Sequence, residues 1–288
     1  MAPVVLGACR AARSGCASGC GPALPVDCRH SDSSCGTVLA PDSPLTPTPA
    51  PLQRVPRLDA LRGAAIVWMA LFHFCFDLNH FGWIQQNFYR DPFWTGQRSA
   101  IVSLFLLCAG LGQALALHQG QPWSRFWRRW AQVAGCALLV SAGSALMFPR
   151  SFISFGVLHG MAVMLLILRA IGPRLPLWAC LGLGLLAWLA PQLWPHPFFD
   201  SRWTNWVGLV TRLPIAEDFV PVLPWLGMML WGYAGGRWLL AARPAWLGGV
   251  LPAPLQPLAV LGRWSLSFYM LHQPVLIGLL TAAATMRG

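Results

Sequence analysis

The chain has 288 residues, 56% of them hydrophobic and only 10% charged, and carries a formal net charge of +11. With 16 tryptophans and a positive mean hydropathy of +0.54, this composition excludes an ordinary soluble domain and indicates a polytopic membrane protein. All of the positive charge is arginine, and Glu217 is the only glutamate. The arginines are scattered among apolar segments rather than gathered with aromatic platforms, so the pI near 10 is not a nucleic-acid signature.

Residues 1–52 are rich in Pro, Ser, Ala and Gly and hold Cys9, Cys16, Cys20, Cys28 and Cys35. They read as a disordered tail, with no CxxC zinc pair and no continuous apolar core of a signal peptide. Residues 53–288 are expected to form one all-α transmembrane domain. Seven spans are predicted, near 58–80, 96–117, 127–148, 152–170, 176–194, 221–241 and 264–284, each close to the length a bilayer demands. Eleven arginines near the span ends fall on the side of Arg54 and six on the other, which favours a cytosolic N-terminus. Cys75, Cys108, Cys136 and Cys180 lie in apolar segments and read as packing residues. There is no repeat of 20 to 50 residues, no GxGxxG and no HExxH, and no metal is assigned.

The first span carries Asp59, Arg62, His73, Asp77 and His80. On a helix their spacings of three, eleven, four and three keep the five side chains within a sector of roughly 60°. Ionisable groups are costly in hydrocarbon and turn toward a bundle interior, a cavity or a substrate path. His73 and Asp77, four apart, share a face, and a carboxylate there fixes an imidazole tautomer and raises its basicity, the arrangement of a general base. Arg62 precedes His73 by about 16 Å of helix and suits a phosphate near the interface; its bland alternative is a snorkelling arginine paired with Asp59. His80 lies at the outer end.

In the last span Ser265, Tyr269 and His272 share a face, and Pro274 removes a helical donor, freeing a carbonyl for Gln273 or a ligand. His159 is a further intramembrane histidine, equally readable as a packing residue. A rival reading of the His and Asp groups is a proton relay in a transporter, against which no inverted repeat is apparent.

The run Arg57-Leu58-Asp59-Ala60-Leu61-Arg62-Gly63, followed by His73 to Leu78, resembles the opening helix of the heparan-alpha-glucosaminide N-acetyltransferase catalytic-domain family. Ser103 to Gly110, Gly156 to His159, Pro221 to Gly227 and Leu261 to Pro274 are similar to its later segments in the same order, so the likeness covers residues 54–284. Arg62 and His73, with ten residues between them, are also similar to the R-X10-H signature of membrane acyltransferases that acetylate bacterial polysaccharides. The resemblance implies a multi-pass protein of the bacterial inner membrane that moves an acetyl group from cytosolic acetyl-CoA to a sugar amine or hydroxyl. Its partners are then the donor, a carbohydrate acceptor and membrane lipid, with homo-oligomerisation left open and no nucleic acid. It casts His73 as base or acetyl-carrying nucleophile, Asp77 as its orienting group, and Arg62 with Asp59 at the CoA phosphates. His80, His159, Tyr269, His272 and Gln273 are candidates for the acceptor side. The animal lysosomal enzyme of the family uses a histidine in the loop after this helix, and no histidine lies between Phe81 and Thr95 here.

Overall fold

A computed structural model describes residues 54–147, 149–216 and 218–286; the expected tail, residues 1–52, lies outside them. The described residues form helices and loops with no strand, as the apolar periodicity predicts. Helix α1 is Pro56–His80, α2 Pro92–His118, α3 Trp123–Met147, α4 Val157–Ile171, α5 Leu177–Leu193 and α6 Val222–Ala242. The short α7, Pro244–Leu247, leads to α8, Gln256–Arg263, and α9, Ser265–Thr285.

The helix ends follow local chemistry. Proline occupies the first turn of both α1 and α2, where a missing N–H costs nothing. The Asp91 carboxylate accepts the Phe93 N–H at 2.8 Å and caps α2. Beyond α1, Gly82 has a φ of 73°, a left-handed turn that glycine adopts without strain and that reverses the chain toward α2.

Among the described residues, five segments are long and apolar enough to cross a membrane: α1, α2, α3, Val157–Arg174 and α9. The expected count of seven is not carried by length and composition, because α5 is apolar but only 17 residues long and α6 is not among the five. The physical reason is position. Helix α6 is an interior element, with Met229, Leu230, Tyr233 and Ala234 packed into one core with Leu106 and Ala114 of α2, Met164 and Leu168 of α4, and Cys180 of α5. A helix surrounded by protein needs small and shape-matched residues more than lipid-like ones. Cys108 and Cys180 are buried and unbridged, in keeping with packing roles.

Helices α1 and α8 approach backbone to backbone. A Cβ on Gly63 would collide with the Leu258 carbonyl, and one on Gly262 with the Asp59 carbonyl, so both positions need glycine. This contact holds the N-terminal half of α1, and with it Asp59 and Arg62, in register with the start of α9. Gly262→Val is expected to force the helices apart and lower stability by about 1–3 kcal/mol, measured as the thermal midpoint of the detergent-solubilised protein.

Candidate functional site

A cavity of about 1170 Å³ runs between α1, α2, α3, α4 and α9, and all five stripe residues of α1 line it: Asp59, Arg62, His73, Asp77 and His80. The single face predicted from their spacing is therefore the face that meets the cavity. Ionisable groups that would be costly against lipid are gathered around an internal space.

At the end near the start of α1 the cavity is basic. Arg54, Arg62, Arg125, Arg129 and Arg263 line it, with Asp59 among them. Asp59 Oδ1 accepts from Arg62 Nη1 at 3.3 Å, and Oδ2 lies 3.9 Å from Arg263 Nε. One carboxylate thus steers two guanidinium groups while leaving a large positive excess, a setting suited to an anion with several charges. The guanidinium of Arg62 lies over Gly112 of α2, where a Cβ would occupy its place.

Toward the middle, His73 of α1 faces His272 of α9 with ring centroids 5.1 Å apart. His272 Nδ1 sits 2.7 Å from the Tyr269 carbonyl oxygen. A carbonyl only accepts, so Nδ1 carries the proton and the neutral ring holds its lone pair on Nε2. That nitrogen is buried without a hydrogen-bond partner in the protein, on a residue that lines the cavity. Asp77 Oδ1 accepts from Gln273 Nε2 at 2.8 Å, and its Oδ2 is likewise buried and unpartnered. The hydrogen bond of Asp77 thus reaches across to α9, and His73 takes Phe72 and His272 as ring neighbours. Helix α9 continues through Pro274, whose missing N–H relieves Met270 of a helical donor.

Tyr269 also lines the cavity, beside the cluster of Ala137, Val157 and Val220. His159 is placed elsewhere. Its Nδ1 accepts from Gly156 N–H at 3.3 Å, so Nε2 carries the proton and donates to Ser141 Oγ at 3.1 Å, which donates in turn to the Ile153 carbonyl at 2.6 Å. The chain of bonds ties the segment before α4 onto α3, and His159 is not among the lining residues. His159→Ala is expected to lower stability by about 1–3 kcal/mol through two lost hydrogen bonds, read as a drop in thermal midpoint, and to leave the cavity chemistry intact.

Two lining groups escape a sequence reading. Asp218, from the connection before α6, accepts the Val157 N–H at 2.8 Å. Burial holds its carboxyl above the ordinary range, a rise that the Val157 N–H and the nearby charge of Arg98 only partly offset. Arg98 of α2 lines the same space. Asp218 and Val157 are 61 residues apart, beyond any local pattern. Among the described residues no group of three or more His, Cys, Asp or Glu side chains is placed to hold a metal ion.

Against this geometry, the family model described as heparan-alpha-glucosaminide N-acetyltransferase, catalytic, matches residues 54–274. The chain belongs to this family. No curated protein and no solved structure matches it. The range shared with the heparan-alpha-glucosaminide N-acetyltransferase family takes in Arg62, His73, Asp77, Asp218, His272 and Gln273 and ends at Pro274. Membership brings acyltransferase-type chemistry to a membrane-embedded helical bundle whose cavity is basic at one end and bears two imidazoles further in.

Proposed function

We propose that the cavity transfers an acetyl group from acetyl-CoA to a sugar amine or hydroxyl. The observation that carries this reading is one continuous cavity joining an arginine-rich mouth to a histidine whose Nε2 is buried and unpartnered. The mouth supplies charge for the donor's phosphates, with Arg62 and Arg263 set by Asp59 and with Arg54, Arg125 and Arg129 around them.

The residues then divide the work. His272 Nε2 takes the proton of the acceptor hydroxyl or amine as its oxygen or nitrogen attacks the thioester carbonyl. The new C–O or C–N bond forms, the C–S bond breaks, and the proton passes from His272 to the departing sulfur, leaving CoA as its thiol. His73 faces this centre as the second imidazole and offers a ring N–H to the carbonyl oxygen, where charge develops. Asp77 and Gln273 clip α1 to α9 and set the separation of the two rings. Gln273, Tyr269 and Asp218, with His80 toward the far end of α1, line the acceptor side. Acetyl-CoA is cytosolic, so the arginine mouth and the N-terminus face the cytosol in a bacterial inner membrane.

The test is donor binding and acceptor-dependent release of CoA thiol by the full chain in nanodiscs. Saturable acetyl-CoA binding, with thiol release that needs an aminosugar or glycan acceptor, supports the reading. Folded protein that binds no donor at millimolar concentration overturns it. Recovery of acetylated protein after incubation without acceptor redirects the step to an acetyl-imidazole.

A further inference from the structure

Helices α3 and α9 meet only over part of their length. Val133, Cys136 and Val140 of α3 and Leu266, Tyr269 and Met270 of α9 pack on one cluster around Ala137. Beyond it the cavity lies between them, lined by Gly143 and Met147 on α3 and by Ile277 and Thr281 on α9. Ile277 and Thr281 follow His272 by five and nine residues, so this cleft extends about 7–14 Å along α9 from the imidazoles. Leu139 and Met147 line the cavity and are also 64% and 53% exposed. A residue that is both cavity wall and outer surface marks an opening, and here the opening falls within two membrane-spanning helices, where the surroundings are acyl chains.

The volume points the same way. About 1170 Å³ exceeds the roughly 300–1,000 Å³ of a pocket built for one small ligand, leaving room for donor and acceptor together. The basic mouth suits the donor. The cleft is walled by Leu139, Val140, Met147 and Ile277 and ends inward at His272 and Gln273, so it offers an apolar chain a place whose polar end lies at the base.

Resting on the acyltransferase reading, we propose that the acceptor is a sugar carried on a lipid anchor, which enters from the bilayer between α3 and α9 and leaves its chain in that cleft. The polar headgroup meets His272, Tyr269 and Asp218, while the anchor stays in hydrocarbon, so no water-filled path is required for it.

The test uses the full chain in liposomes with radiolabelled acetyl-CoA and two probes, the dodecyl and methyl glycosides of glucosamine. Any apolar chain concentrates in a bilayer, so preference for the dodecyl probe is compared between variants. Gly143 is exposed, and a Cβ there would meet nothing within 4 Å; Gly143→Trp therefore fills the cleft without disturbing packing. Leu146→Trp, on a position 86% exposed and outside the cavity lining, is the control on the same helix. The expected result is that the dodecyl-to-methyl ratio of kcat/KM falls at least about tenfold in Gly143→Trp and stays at the wild-type value in Leu146→Trp. An unchanged ratio in Gly143→Trp, or equal use of both probes by the wild type, overturns the lateral route and leaves acyl transfer standing. Transfer to neither probe by protein that binds acetyl-CoA overturns the lipid-borne sugar acceptor, whereas absence of donor binding removes the acyltransferase reading itself. Efficient disulfide-linked dimers of Gly143→Cys would show the cleft covered by a second copy and also overturn the proposal.

Discussion

His272→Ala is expected to lower kcat for acetyl transfer by about 10²–10⁴-fold, the contribution of a positioned general base, with acetyl-CoA affinity little changed. The distinction rests on placement: His272 lies beside His73 and Gln273, inward of the arginine mouth. Loss of the side chain could also disturb α9, and His272→Asn separates the two effects. Asparagine can offer an N–H to the Tyr269 carbonyl as Nδ1 does, but it places no base where Nε2 lies. A folded His272→Asn protein with the same kcat deficit as the alanine variant assigns the loss to the missing base. Activity within a few-fold of wild type would remove His272 from the chemistry and return the base role to His73. His73→Ala provides the complementary reading, since a group acting at the developing oxyanion lowers kcat and kcat/KM together.

The two histidines show what a sequence makes visible. The stripe on α1 was legible because helical geometry alone relates residues 59, 62, 73, 77 and 80, and all five line the cavity. The partner face was legible only as a second stripe, Tyr269 and His272, with no means of joining it to the first. The hydrogen bond between Asp77 and Gln273 spans 196 residues, and i,i+4 spacing pointed instead to a local pairing of Asp77 with His73. Local periodicity ranks neighbours on one helix and is silent about a neighbour on another. The register between α1 and α9 depends on Gly63 and Gly262, where missing side chains let α8 settle against α1. Asp218 carries no local signal, because its partner is the backbone N–H at the start of α4. Hydropathy marked the lipid-facing spans and also 221–241, which is α6, a helix enclosed by α2, α4 and α5. His159 was readable either as a packing residue or as a functional one, and its ring nitrogens are taken up by Gly156 and Ser141.

Arg62→Ala is expected to weaken acetyl-CoA binding by about 10–150-fold, the factor for one charge-assisted hydrogen-bonding partner worth about 1.5–3 kcal/mol. The size of the effect should exceed that of Arg125→Ala or Arg54→Ala, because Asp59 holds the Arg62 guanidinium at 3.3 Å and Gly112 gives it a slot, so less side-chain freedom is lost on binding. The substitution also changes Asp59, which keeps only the more distant Arg263 at 3.9 Å and becomes a less compensated negative charge facing the phosphates. Arg62→Lys tests the point, since it preserves charge but not the planar fork, and an intermediate affinity is expected. Isothermal titration in nanodiscs with acetyl-CoA and with its 3′-dephospho analogue reads which phosphate is engaged. If Arg62 contacts the 3′-phosphate, the substitution and the missing phosphate are non-additive; if it contacts the diphosphate, the two losses add. Unchanged affinity in both Arg62→Ala and Arg129→Ala would move the donor away from the basic mouth and break the continuity between the arginines and the histidine pair on which the transfer mechanism depends.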